Sequence, residues 1–286
     1  MTRVKSVSDN NREAEARRRP ELAIRLASAV VLAALAIGAI LYQPWTFLIL
    51  VIVGSLLVAW EWGQLTRGNG FDGTALISGV SVATVSILVF LGRADLAFFV
   101  LALAAVAIGL RSVSTGRSVW PLAGLAYAAL PAVALLFLRG DAAWGATAAL
   151  YLFVVAWATD TASYAAGRLL GGSKLAPRIS PKKTWSGFIV GTLTPTLVGY
   201  AFAEALKETS AVKLSLVSIV LALACQMGDL LESAVKRRFG AKDASQLIPG
   251  HGGLLDRIDG LLLAAIVAAL IALRDPASPG RGLLIW

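Results

Sequence analysis

The chain has 286 residues, 57% of them hydrophobic and 15% charged, with a formal net charge of +9. A soluble domain carries about a quarter charged residues, so this composition excludes an ordinary soluble enzyme, and the continuous rather than alternating apolar runs exclude a transmembrane β-barrel. A single cysteine, Cys225, excludes an intramolecular disulfide framework and a multi-cysteine zinc site. The positive charge is read as loops facing an anionic bilayer surface and a phosphorylated substrate rather than as a nucleic-acid footprint.

In chain order, residues 1–20 form a basic, flexible tail with Arg17, Arg18 and Arg19 beside the first apolar run. That run is too long for the core of a cleaved signal peptide and is read as a retained span. Nine spans are predicted, at 21–42, 44–65, 73–92, 95–111, 118–138, 144–170, 184–206, 214–238 and 254–273, each near the ~20 residues that cross about 30 Å of hydrocarbon. The fourth is the shortest. Gly68-Asn69-Gly70 and Gly171-Gly172-Ser173 read as turns. Pro131 and Pro195 lie inside apolar runs, where neighbouring helices can satisfy the freed carbonyls. With an N-terminus inside, 20 of the 26 lysines and arginines fall on the cytoplasmic side, which the positive-inside rule favours. The expected fold is therefore an all-α polytopic transmembrane bundle. It divides into the tail, an N-terminal membrane region over 21–140 and a C-terminal catalytic membrane region over 141–286.

Three polar constellations lie in the second half. In the sixth span, Asp160, Ser163, Tyr164 and Gly167 share one helical face. A carboxylate inside a membrane helix is a functional candidate, against the plainer reading of a charge neutralised by a nearby arginine. The next loop sets Lys174, Arg178, Lys182 and Lys183 among prolines, with Thr184 at the start of the following helix. Those cations suit phosphate oxygens, and a helix N-terminus favours anions. A solvated loop would need cations but not this pattern. The third constellation is the densest. The eighth span ends with Asp229, Glu232, Ser233 and Lys236 on one face, followed by Arg237 and Arg238. A polar loop carries Lys242 and Gly250-His251-Gly252-Gly253, and the last span opens with Asp256, Arg257 and Asp259.

A connector of about fifteen residues lets Asp229 converge with Asp256 and Asp259. Hard oxygen donors from facing helices are what Mg²⁺ requires, with phosphates and waters completing its shell. Lys236, Arg237 and Lys242 would stand beside such an ion and neutralise a polyphosphate. His251, the one histidine, is a candidate for binding phosphate, orienting the loop or relaying a proton. For Glu232 and Arg238 the plainer alternative is that they are interfacial residues.

From Ser233 through Lys236-Arg237, Lys242-Asp243 and Ile248-Pro249-Gly250-His251-Gly252-Gly253 to Asp256-Arg257-Ile258-Asp259, the chain resembles the phosphatidate cytidylyltransferases. The Asp160–Gly167 face and the Lys174–Gly187 loop resemble the same family's upstream pattern. One departure is Ser186, where bacterial members often carry Glu after Lys-Thr-Trp, so no acidic role is expected there.

The resemblance implies that phosphatidic acid attacks the α-phosphorus of CTP at the cytoplasmic face of a bacterial inner membrane. It implies Mg²⁺, with a second cation such as K⁺, and a homodimer. It also implies metal-binding roles for Asp229 and Asp256, with Asp259 as ligand or neighbour, and contacts to phosphate or the second cation from Ser233 and Lys236. Lys242, His251 and Arg257 become substrate-loop residues. Two rivals are a CTP-dependent polyprenol or phytol kinase and a secondary transporter. The first is disfavoured by the full His-Gly-Gly…Asp-Arg…Asp pattern. The second is disfavoured by the crowding of charge toward one face without an internal repeat.

Overall fold

The computed structural model describes residues 27–114, 119–248 and 252–286. The basic tail, the start of the first span and His251 lie outside the described residues. Eleven helices are described, beginning with α1 (Ala27–Leu41). They continue as α2 (Pro44–Arg67), α3 (Gly73–Phe90), α4 (Ala94–Ser114), α5 (Trp120–Arg139) and α6 (Gly145–Leu169). After a hairpin of β1 (Lys174–Ala176) and β2 (Ser180–Thr184) come α7 (Trp185–Leu193), α8 (Thr196–Leu206), α9 (Ala211–Arg238), α10 (Leu255–Ala272) and α11 (Pro279–Leu284).

Each of the nine apolar runs falls on helix, with three differences from the sequence reading. The fold is not wholly helical, because the basic loop folds as an antiparallel hairpin in which Lys174 faces Thr184. The fourth run extends over 21 residues as α4, longer than its apolar stretch because Arg111 and Ser112 continue the helix. The seventh is broken at Thr194-Pro195 into α7 and α8. Proline removes a donor and clashes with the preceding turn. At Pro131 the same residue stays inside α5, buried against its neighbours.

Among the described residues, six segments are long and apolar enough to cross a membrane: α2, α3, α4, α5, the pair α7–α8 taken together, and α9. Helices α6 and α10, of 25 and 18 residues, have the length but carry Asp160 and Arg168, and Asp256, Arg257 and Asp259, respectively. Large apolar side chains stand exposed along α3 and α4, among them Leu76, Val80, Phe98, Phe99, Leu103 and Leu110. A contiguous apolar surface of this kind fits hydrocarbon rather than water.

The ends are set locally. Gly68, at φ 69°, closes α2 by donating its N–H to the Gln64 carbonyl, and Asp72 caps α3 by accepting from Ala75 N. Burial occurs in two clusters. One joins Phe47, Leu138, Tyr151, Leu152, Leu214 and Leu221; the other joins Val58, Val82, Ile108 and Leu125 to Leu255 and Leu262 of α10. Both draw on residues from either side of position 140, so α10 is packed into the N-terminal helices as well as against α9.

Candidate active site

Two glycines decide how closely α9 and α10 cross. A Cβ on Gly228 would lie 2.6 Å from the Asp259 carbonyl oxygen, and one on Gly260 would lie 2.8 Å from the Cys225 carbonyl oxygen. Without side chains at these points the two backbones touch, as small residues allow at membrane helix crossings. Asp229 and Asp259, each next to one of those glycines, are thereby brought to the same crossing. Asp160 of α6 joins them: its charge and that of Asp229 act on Asp259, as does that of Glu232. Lys183 and Arg257 are near enough to act on Asp160.

The cations are placed individually. Lys183 of β2 reaches Asp229, with Nζ 2.5 Å from Oδ2. Asp229 Oδ1 also accepts a long hydrogen bond of 3.4 Å from Ser233 Oγ. Lys236 lies between two carboxylates, 2.6 Å from Glu232 Oε2 and 2.6 Å from Asp256 Oδ1. The contact with Glu232 is ionic rather than directional, since neither of its oxygens has a hydrogen-bond partner. Asp256 Oδ2 accepts from the backbone of Ala244 at 3.0 Å and of Gly253 at 2.8 Å.

This arrangement bears on the expected metal ligands. Several carboxylates act on one another at the crossing of α6, α9 and α10, and a hard-oxygen set of that kind fits a divalent cation. Among the described residues, however, no three acidic, histidine or cysteine side chains converge in a geometry that could hold a metal ion. Asp229, Asp256 and Asp259 are not assembled as one ligand set, because Asp256 is turned to Lys236 and to two backbone amides.

The remaining predicted residues divide into those at the site and those with local duties. Arg257 is exposed into a cavity of about 420 Å³, which Asp160 also lines. The rest of that cavity is largely apolar, walled by residues such as Leu50, Val58, Pro131, Leu135 and Phe153 from α2, α5 and α6. Lys174, Lys182 and Lys242 are exposed. Thr184 is buried and caps α7, its Oγ1 accepting from Gly187 N at 3.2 Å. Ser186 shares a 2.9 Å hydrogen bond with Thr184 Oγ1 and donates to the Gly171 carbonyl, so the residue that departs from the family pattern ties the hairpin to the end of α6. Arg237 donates to the carbonyls of Ile179 and Ala241, which fastens the hairpin turn to the end of α9.

Tyr164, on the same face as Asp160, is exposed and accepts from Arg168. Ser163 and Gly167 meet α7 at Gly187 and its neighbours. Glu232 is almost fully buried, as the partner of Lys236.

The sequence reading missed Glu61 of α2. It is completely buried and accepts from Ser245 Oγ and from the backbone amides of Leu254 and Leu255. It also missed Tyr127 of α5, whose buried hydroxyl has no hydrogen-bond partner among the described residues. A lone acid inside an apolar run was the available signal for Glu61; Tyr127 carried none.

The profile described as the Cytidylyltransferase family matches residues 23–273. The chain belongs to the cytidylyltransferase family. Three similar proteins bear the name phosphatidate cytidylyltransferase. That of Brucella suis biovar 1 (strain 1330) is 38% identical over 253 residues, covering 87% of this chain and 92% of that protein. That of Rickettsia bellii (strain RML369-C) is 36% identical over 207 residues, covering 68% and 88%. That of Haemophilus influenzae is 42% identical over 120 residues, covering 40% and 42%. The family match takes in α1 to α10, so Glu61 and Tyr127 fall inside it as well as the polar half.

Proposed function

We propose that the chain is an integral membrane nucleotidyltransferase that converts phosphatidic acid and CTP to CDP-diacylglycerol and pyrophosphate for phospholipid synthesis. The observation that carries this reading is the meeting of two environments: carboxylates and lysines from α6, β2, α9 and α10 cluster beside an apolar cavity lined by Asp160 and Arg257. A lipid phosphate needs both, with its acyl chains in apolar surroundings and its head among charges.

In the reaction, an oxygen of the phosphatidate phosphate forms a bond to the α-phosphorus of CTP while the bond from that phosphorus to the bridging oxygen breaks. The electron pair leaves with pyrophosphate. The nucleophile is already anionic, so the chain's task is positioning and charge neutralisation rather than removal of a proton. Arg257 and Lys183 are assigned to the phosphate at the cavity mouth. Lys174, Lys182, Lys242 and His251 are assigned to the triphosphate. Ser233 and Lys236 hold the carboxylates of α9 and α10 in register. Asp229, with Asp256 and Asp259, would hold Mg²⁺ only once Lys183 and Lys236, which now occupy the oxygens of Asp229 and Asp256, have turned to the phosphates; the ion would supply further neutralisation of the phosphate charge. K⁺ is the proposed second cation.

Nine spans are supported by the nine apolar runs, a cytoplasmic N-terminus and site by the distribution of lysine and arginine, and a bacterial inner membrane by the bacterial relatives. Homodimerisation is proposed on the family resemblance alone. The test uses the purified full chain with phosphatidic acid and CTP labelled at the α- or γ-phosphorus. Label from the α-position should enter the lipid. Entry of γ-label alone would establish a kinase and overturn the reading.

A further inference from the structure

The residues assigned to the reaction all come from the second half of the chain, yet one side chain of the first half reaches among them. Glu61 lies in Trp60-Glu61-Trp62 on α2 and is 0% exposed. Its Oε1 accepts from Ser245 Oγ at 2.6 Å and from Leu254 N at 2.9 Å, and its Oε2 accepts from Leu255 N at 2.6 Å. Leu254 and Leu255 open α10, and Leu254 at the cap position supplies no side-chain acceptor. The first amides of a helix have no partner within it and carry the positive end of its dipole. Here a carboxylate from another helix, almost two hundred residues away in sequence, meets them. The approach depends on Gly253, since a Cβ there would stand 2.5 Å from Glu61 Oε1.

The opposite side of the same segment is held by Asp256, which accepts from Ala244 N and Gly253 N. Ala244 and Ser245, and Gly253, Leu254 and Leu255, are thus held between one carboxylate of α2 and one of α10. A second tie runs beside it. Trp62 Nε1 donates to the Trp120 carbonyl at 2.9 Å, and the Trp120 ring meets Phe239, just beyond α9, edge-on at 5.1 Å.

We propose that Glu61 is a positioning residue for cytidylyl transfer, acting through the first turn of α10 to hold Asp256, Arg257 and the loop from Lys242 in register with Lys236 and Asp229. This rests on the function proposed above. It gives the N-terminal helices a part in the reaction beyond anchoring the chain in the bilayer.

The test compares the full-length wild type with Glu61→Ala, Glu61→Gln and, as a control on an exposed ion pair, Asp95→Asn. Two quantities are read: amide hydrogen exchange along the chain, and kcat and KM for CTP per folded molecule. In Glu61→Ala, amides from 252 to 258 should exchange about tenfold faster or more while α3 and α4 keep their protection, and kcat should fall about 10- to 100-fold with a smaller change in KM. In Glu61→Gln, the carbonyl keeps the bonds to Ser245 and Leu254 but the amide group opposes Leu255 N–H, so both effects should be intermediate. Wild-type exchange in the 252–258 segment, or unchanged kcat per folded molecule, would overturn the proposal. If the alanine variant does not fold, the glutamine variant decides by the same two readings. A wild type that transfers no cytidylyl group would instead sink the functional reading, and the two failures are separable because the exchange measurement needs no substrate.

Discussion

Replacing Lys236 by methionine removes the cation from a buried ion cluster while keeping a side chain of similar length. Lys236 is 11% exposed in its side chain, Glu232 1% and Asp256 5%, so water screens little of the interaction. The two carboxylates do not suffer equally. Asp256 retains the amides of Ala244 and Gly253, whereas Glu232 has no donor among the described residues to replace Lys236. Breaking a buried pair by removing one partner costs about 3–5 kcal/mol, chiefly because the other charge stays buried and uncompensated. The single variant should therefore lose about 3–5 kcal/mol of unfolding free energy. Changing Glu232 to leucine as well removes the uncompensated group, leaving only the charged hydrogen bond to Asp256 missing, worth about 1.5–3 kcal/mol. Unfolding in mixed micelles, followed by circular dichroism, measures all four members of the cycle. A single variant within about 1 kcal/mol of wild type, or a double variant no more stable than the single, would refute the assignment of Lys236 as the shared counter-ion.

Asp229→Asn keeps the shape of the side chain but removes its charge, and should lower turnover about 100-fold or more. Its pair with Lys183 is part-exposed at 23% and 32%, so unfolding free energy should change by less than about 1 kcal/mol, and near-normal turnover would count against its place in the site. Gly260→Ala sets a methyl 2.8 Å from the Cys225 carbonyl and must separate α9 from α10, costing about 1–3 kcal/mol and lowering turnover together, as unfolding and activity measured on one sample will show. Asp141, in the turn between α5 and α6, is raised by burial, but hydrogen bonds from Ser278 and from the amides of Trp144, Ala143 and Arg281 outweigh this and hold its carboxyl below the ordinary 3.8. A carboxyl lowered on folding stabilises fully above the unfolded value and loses that contribution as pH falls through the folded one. Stability should thus decline with acid below about pH 4, and Asp141→Asn should flatten that decline; an identical acid profile in the variant would show that other groups cause it.

The amino-acid sequence by itself determined the class of the protein, the helical segments and the dense polar stretch from Asp229 to Asp259, because hydrophobic run length and clustered charge are local properties. It also placed Thr184 at the start of a helix, while its role as the cap of α7 came from the structure. Which charges meet which was decided only in three dimensions. Lys183 and Lys182 look alike in sequence, but the hairpin leaves one exposed and brings the other to Asp229. Asp256 and Asp259 share a face, yet one is bound to Lys236 and the loop amides while the other sits at the glycine crossing of α9 and α10. Glu61 shows the limit most plainly. Within α2 it is an acid in an apolar helix with no partner nearby in sequence, and only the packing of α2 against the start of α10 and against Ser245 supplies the three donors that let a carboxylate be buried there.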